Sequence, residues 1–184
     1  MNLSELEKLL KNQKQAPVEL WNPPYCGEMD MLLKSDGSWW HQGSPILRHN
    51  LVKLFSRIIK KESEKYFLVT PVEKFAIQVE DAPFLAIDFQ QVEDKQQPNP
   101  WLVFETNVGD LVQLNQKHAL VLKAAPANSD TQQPYIQVRA NLEAKLARSV
   151  FYHLVELGEI YQKNNQQRLR VPSGSYWFDL GAIE

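Results

Sequence analysis

Residues 65–91, KYFLVTPVEKFAIQVEDAPFLAIDFQQ, and residues 101–125, WLVFETNVGDLVQLNQKHALVLKAA, carry the reading of the fold. The first stretch reads as three strands, 66–70, 74–80 and 84–89, parted by Pro-Val-Glu and by Glu-Asp-Ala-Pro. In its middle strand Phe75, Ile77 and Val79 alternate with Lys74, Ala76, Gln78 and Glu80, the period-two pattern of a strand that buries one face. The second stretch repeats the layout. Thr106 follows Thr70, and Val108 follows Val72, by 36 residues, and PFLAI and ALVLK superpose at the same offset. Phe75 and Ile77 reach Val112 and Leu114 only with one extra residue, the slip a β-bulge supplies. The pattern predicts one β-meander used twice. The polar segment EDKQQPNP (93–100), with two prolines, is the expected boundary between the copies.

Working outward, residues 3–12 have Leu3, Leu6, Leu9 and Leu10 on one helical face and Ser4 and Glu7 at capping-box spacing. An extended strap follows to residue 25, pinned by Trp21 and Tyr25, because each proline restricts its predecessor. MDMLLK, the turn Asp36-Gly37 and SWWHQG predict a hairpin in which one of Trp39 and Trp40 faces outward. Ser44-Pro45 then starts a helix through LRHNLVKLFSRIIKKE, with Leu47, Leu51, Leu54, Phe55, Ile58 and Ile59 on its buried face. Later, PANSDTQQP is a hairpin connection and PYIQVR a strand. NLEAKLARSVFYHLVELGE is the longest helix, from an N-cap at Asn141 to Gly158, with the stripe Leu142, Leu146, Val150, Leu154 and Leu157. YQKNNQQRLR reads as a polar loop and SGSYWFDLG as a closing strand. The expected class is α+β: a helix and strap over 1–25, a first lobe over 26–95 and a second over 96–184, each lobe with an antiparallel meander and a packed helix.

Composition bounds the function. In 184 residues, 43% are hydrophobic, enough for a packed interior, and 20 basic against 22 acidic residues leave a net charge of −2. That balance argues against a nucleic-acid binder. No apolar run approaches the roughly 20 residues that cross a bilayer. The start lacks a secretory leader and Cys26 is the single cysteine, so the expectation is a cytoplasmic protein with a reduced thiol.

DGSWWHQGSPI, LVKLFS, YFLVTPVEK, VEDAPF, TNVGD, QVRANLEAKLARSVFYHLVELGE and the terminal SYWFDLG, in that order, resemble the uncharacterised bacterial family labelled domain of unknown function 1285. The resemblance runs from about residue 26 to the end. It implies two related lobes, a C-terminal half like the pleckstrin-homology barrel and helix, and a binding site between the lobes for a nucleotide-like ligand in signal transduction. The chain departs from the family pattern at His118-Ala119, where His-Pro is commoner, and in VPSGSYWF.

Catalytic and metal signatures are missing. His41, His49, His118 and His153 have no metal-ligand spacing, no GxSxG elbow or phosphate loop occurs, and no cofactor is expected. Any phosphate would be held by arginines and helix starts: Arg48 in the first turn after Ser44-Pro45, Arg139 ahead of the long helix, and Arg148 inside it. The competing role for Arg139 and Arg148 is ion pairing with Glu143 or with the acidic turns. The aromatic-polar run Trp39-Trp40-His41 offers rings to stack on a base, and Trp40, His41, Thr70 and Glu73 complete the inter-lobe candidates. Three functions compete. The first is a non-enzymatic ligand-binding or sensory module, the second a protein-interaction module using a sheet edge or the 47–61 helix, and the third a hydrolase using Glu73, Glu80 or Asp81.

Overall fold

The computed structural model describes residues 16–126 and 128–183, so the helix expected over 3–12 lies outside the described residues. The Asp36-Gly37 turn folds as its sequence dictates. Asp36 Oδ1 accepts from the Ser38 amide at 2.9 Å and the Ser38 hydroxyl at 2.6 Å, and Gly37 takes the φ of 84° that favours glycine. It joins β1 (Tyr25–Leu33) to β2 (Trp39–His41), with β3 (Ser44–Pro45) beyond. Helix α1 (His49–Ser56) leads into a meander of β4 (Ile59–Glu62), β5 (Lys65–Val69) and β6 (Lys74–Val79). β6 then lies parallel to β1, giving the sheet order β3-β2-β1-β6-β5-β4.

The second half begins with the meander β7 (Phe84–Val92), β8 (Trp101–Thr106) and β9 (Leu111–Gln113). Another meander follows, β10 (Leu120–Ala125), β11 (Asn128–Arg139) and β12 (Leu142–Leu146). β12 runs parallel to β7, so this sheet is ordered β10-β11-β12-β7-β8-β9. Helix α2 (Arg148–Glu156) leads to a third sheet, β13 (Glu159–Lys163), β14 (Gln166–Ser173) and β15 (Tyr176–Ala182). The architecture is mostly β, with two α-helices among the described residues, each one short.

Several sequence expectations change here, each for a physical reason. The expected long helix splits, because Leu142, Ala144 and Leu146 also satisfy a period of two and are all buried in β12. Pairing with β11 over Leu142–Lys145 and with β7 over Ala144–Leu146 gives its backbone groups strand partners on both sides. Only Val150 and Leu154 of the stripe belong to the buried face of α2. The first helix begins at His49, after β3, and ends before Ile59 opens β4; its buried residues are Val52 and Ser56, while Leu47 and Leu54 are exposed. The polar loop at 161–170 is a hairpin, turned by Asn164 and Asn165 at positive φ, whose outer strand carries too little apolar alternation to announce itself. The 93–100 segment connects β7 to β8 within one sheet, whereas the chain changes sheets between β6 and β7. The 26–95 and 96–184 limits therefore separate β7 from the sheet it belongs to, and the 36-residue overlay lays β5 and β6 of the first sheet on β8 and β9 of the second, but β7 on β10 within the second. The element order recurs at a longer interval: meander, helix and meander over β1–β6 appear again over β10–β15, and β4 and β13 start at Ile59 and Glu159, 100 residues apart. β15 lies against β10, at the place where β6 lies against β1.

One hydrophobic cluster runs through all three sheets. It takes Leu33, Trp39 and Ile59 from the first, Phe84, Phe104 and Ile136 from the second, Val171 and Phe178 from the third, and Leu154 from α2. Ser173, fully buried, ties the third sheet to the second by accepting from Leu102 N–H at 3.0 Å and donating to Leu114 carbonyl at 2.8 Å. Replacing it by alanine strands both backbone groups, and the Ser173→Ala protein is expected to lose about 1–3 kcal/mol, read as a lower urea midpoint with unchanged slope.

Candidate functional site

The joint between the first two sheets is held by polar side chains rising from turns. Arg139, at the end of β11, has its side chain 10% exposed, its Nη1 3.0 Å from Asp110 Oδ2, and its Nη2 donating to the Ser56 carbonyl at the end of α1. Its guanidinium also lies 4.8 Å from the centre of the Phe84 ring. Burial pushes the Arg139 pKa down, and Asp110 opposes that shift. Asp110 is fixed in turn, its own amide donating to Thr106 Oγ1 at 3.0 Å. Nearby, Asn107 accepts from Leu85 N–H and donates to the Gly37 carbonyl, both at 3.0 Å, and so pins the β1–β2 turn to the second sheet. A Cβ on Gly37 would meet Asn107 Nδ2 at 2.9 Å, so that contact needs glycine. Asn141 Nδ2 reaches the Lys61 carbonyl at 3.0 Å.

A second polar cluster surrounds Asp81 in the chain's crossing from one sheet to the other. Lys145 Nζ lies 2.9 Å from one carboxylate oxygen, and the Tyr135 hydroxyl donates to the other at 2.7 Å. Tyr135 is held protonated well above the ordinary phenol range, first by burial and then by Asp81. Tyr66, on β5, is pushed up to about 12 by burial and, less strongly, by Glu143, Glu64 and Asp81. Glu80 accepts from the Ser35 amide at 2.8 Å. The carboxylates of Glu80 and Asp81 are therefore engaged in holding the joint.

Beside this cluster opens a crevice of about 680 Å³, bounded by the Ser35 turn, Leu85, Gln133, Lys145, Arg148 and Tyr152 among others. Arg148 opens α2, whose N-cap Ala147 offers no side-chain cap, and its guanidinium sits 5.9 Å from the Tyr152 ring centre. Among the described residues Arg148 has no carboxylate partner within ion-pair distance.

The sequence-derived candidates separate in space. Arg148 lines the crevice and Arg139 lies inside the joint. Arg48 is the N-cap of α1, in a distinct hollow with His49, Asn50, Leu51 and Leu54. Trp40 is half-buried beneath the Lys34 ammonium at 3.7 Å, while Trp39 is buried against Phe55. His41 Nδ1 is 2.8 Å from the Asp30 carbonyl. Thr70 and Glu73 close the β5–β6 turn, the Glu73 amide donating to Thr70 Oγ1 at 3.0 Å. Lys145, Phe151 and Tyr152 also face the crevice; no motif marked them, since Lys145 stood inside a stretch read as helix. No helix is long and apolar enough to cross a membrane among the described residues, and no three metal-ligating side chains converge there.

A mostly β protein of two joined domains is thus defined. The models of one family cover it: the N-terminal domain of the domain of unknown function DUF1285 matches residues 16–82, and the C-terminal domain matches residues 83–180. The chain belongs to the DUF1285 family. A crystal structure of a DUF1285 family protein from Silicibacter pomeroyi is 39% identical, with a TM-score of 0.82 over 96% of this chain and 92% of that one. A second, from Shewanella baltica, is 28% identical, with a TM-score of 0.54 over 70% of this chain and 91% of that one. None of the curated proteins matches.

The geometry sets two expectations. Asp110→Ala leaves a buried guanidinium uncompensated and is expected to lose about 3 kcal/mol or more in urea denaturation. Pairing it with Arg139→Met should recover much of that loss, a coupling that a double-mutant cycle measures. For Tyr66 the folded phenol titrates at about 12 and the unfolded one at ~10. Its contribution is therefore complete below the unfolded value and is lost as pH rises between the two. Tyr66→Phe should flatten the fall in stability over that interval.

Proposed function

We propose that this chain is a non-enzymatic ligand-binding module of signal transduction, taking an anionic, nucleotide-like ligand in the crevice between its lobes. One observation carries the reading: Arg148, without a carboxylate partner among the described residues, stands at the uncapped start of α2 on the wall of a cavity that both family domains line. Free N–H groups of the first turn and a guanidinium fork together suit phosphate oxygens. Tyr152, 54% exposed beside Arg148, offers a ring on which a base can stack. The recurrence of meander, helix and meander supports a duplicated origin for the two lobes. The run of strands ending in α2 supports a pleckstrin-homology-like description of the second.

Thermal denaturation against a panel of nucleotides and inorganic phosphate tests this. A ligand at 100 times its dissociation constant should add about 2.7 kcal/mol of stability, and Arg148→Ala should abolish most of that gain. A panel without effect on the wild type, or an equal effect on Arg148→Ala, overturns the assignment.

A further inference from the structure

The edges of the sheets differ in what covers them. In the first sheet the outer strand β4 is shielded by the chain's own approach: a 3-10 turn, Val18–Leu20, packs against it with Val18 buried. Lys60 on β4 donates to the Trp21 carbonyl at 3.1 Å. The corresponding strand 100 residues later, β13, has β14 on one side and no described strand on the other. Ile160 on this edge is 64% exposed, and Val155 and Leu157 just before it are exposed as well. An open edge of this kind presents unpaired N–H and C=O groups to any strand that fits.

The sequence of β13, Glu159-Ile160-Tyr161-Gln162-Lys163, fits itself. Two identical strands paired antiparallel about a twofold axis must place residues of the same face opposite one another, so the axis passes through a residue position. With the axis at Tyr161, Tyr161 faces its symmetry mate and Glu159 faces Lys163 of the other copy, twice. Moving the axis to Ile160 or Gln162 leaves both charges without an opposite partner. Neither Glu159 nor Lys163 has an ion-pair partner within the chain among the described residues, so both are free to serve. The broad face of this sheet already carries a row of stacked groups, with the Arg170 guanidinium 4.0 Å from the Trp177 ring and 5.2 Å from the Tyr161 ring. Apposition at Tyr161 extends that row across the axis as an aromatic cross-strand pair.

We propose that β13 is a homodimerisation edge: a second copy of this chain pairs with it antiparallel about Tyr161, joining two three-stranded sheets into one of six strands. The charge complementarity of the strand with itself selects a second copy over an unrelated partner.

Sedimentation velocity on the full chain at micromolar concentration, at low and high salt, tests the arrangement. The wild type is expected to be a dimer that weakens with salt. Glu159→Lys sets the introduced lysine against Lys163 of the other copy, and Lys163→Glu sets two glutamates opposed. Each variant should therefore raise the dimer dissociation constant about tenfold or more. An equimolar mixture of the two variants should form a heterodimer, and the double exchange E159K/K163E should dimerise like the wild type. Circular dichroism and melting confirm that each variant is folded. A monomeric wild type overturns the proposal and makes the edge charges guards against pairing. So does a dimer that both single variants retain, or a failure of the mixture and the double exchange to restore assembly.

Discussion

The buried guanidinium of Arg139 is the constraint on which the joint depends. It lies between an acidic turn, a helix end and an aromatic ring, and each supplies something different. Asp110 neutralises the charge, the Ser56 carbonyl takes a donor at the negative end of α1, and Phe84 offers its face. Such a group is expensive to desolvate, so its value lies in orientation more than in net stability. A guanidinium fork has few ways to satisfy all its donors at once, and that fixes how α1 approaches the second sheet.

The rest of the joint follows from that placement. Once α1 and β4 are set against β11, the β1–β2 turn can reach Asn107, and only glycine at position 37 lets it come that close. The crossing chain at Glu80 and Asp81 is then held from both sides, by the Ser35 amide and by Lys145 with Tyr135. Apolar burial does the remainder, since one hydrophobic cluster is continuous across the sheets. The crevice at Arg148 is the place where these polar ties leave space. It opens where α2 leaves β12, and its walls are set by the same contacts that close the joint.

Much of this is legible locally. Most strands over residues 65–125 stand close to where alternation and turn residues place them, and the Asp36-Gly37 hairpin forms through the side-chain bonds its residues allow. Sequence and structure part where two periods fit the same letters. LEAKL alternates as a strand and also continues a helical stripe, and only its neighbours β11 and β7 decide between them. The β13–β14 hairpin escapes a reading by pattern because an exposed edge strand needs no apolar alternation. Of the candidate site residues, Arg148 lines the crevice, whereas Arg48, Thr70 and Glu73 are dispersed over a helix start and a hairpin turn. Proximity between distant arginines cannot be read from their spacing along the chain.

By itself, the sequence determined what short-range physics controls: the alternating strands, the glycine and asparagine turns, the family blocks and the lack of catalytic or metal-binding spacing. Tertiary structure alone decided which sheet each strand joins. The meander whose pattern repeats after 36 residues shows why. β5, β6 and β7 are neighbours in sequence and equally strand-like, yet the chain leaves one sheet for the other between β6 and β7. A strand's pattern records that one of its faces is buried, but not against which partner, because apolar burial is non-directional. Partner choice came from long-range pairing of β6 with β1 and of β7 with β12, and from the Arg139 joint that holds the two sheets in register.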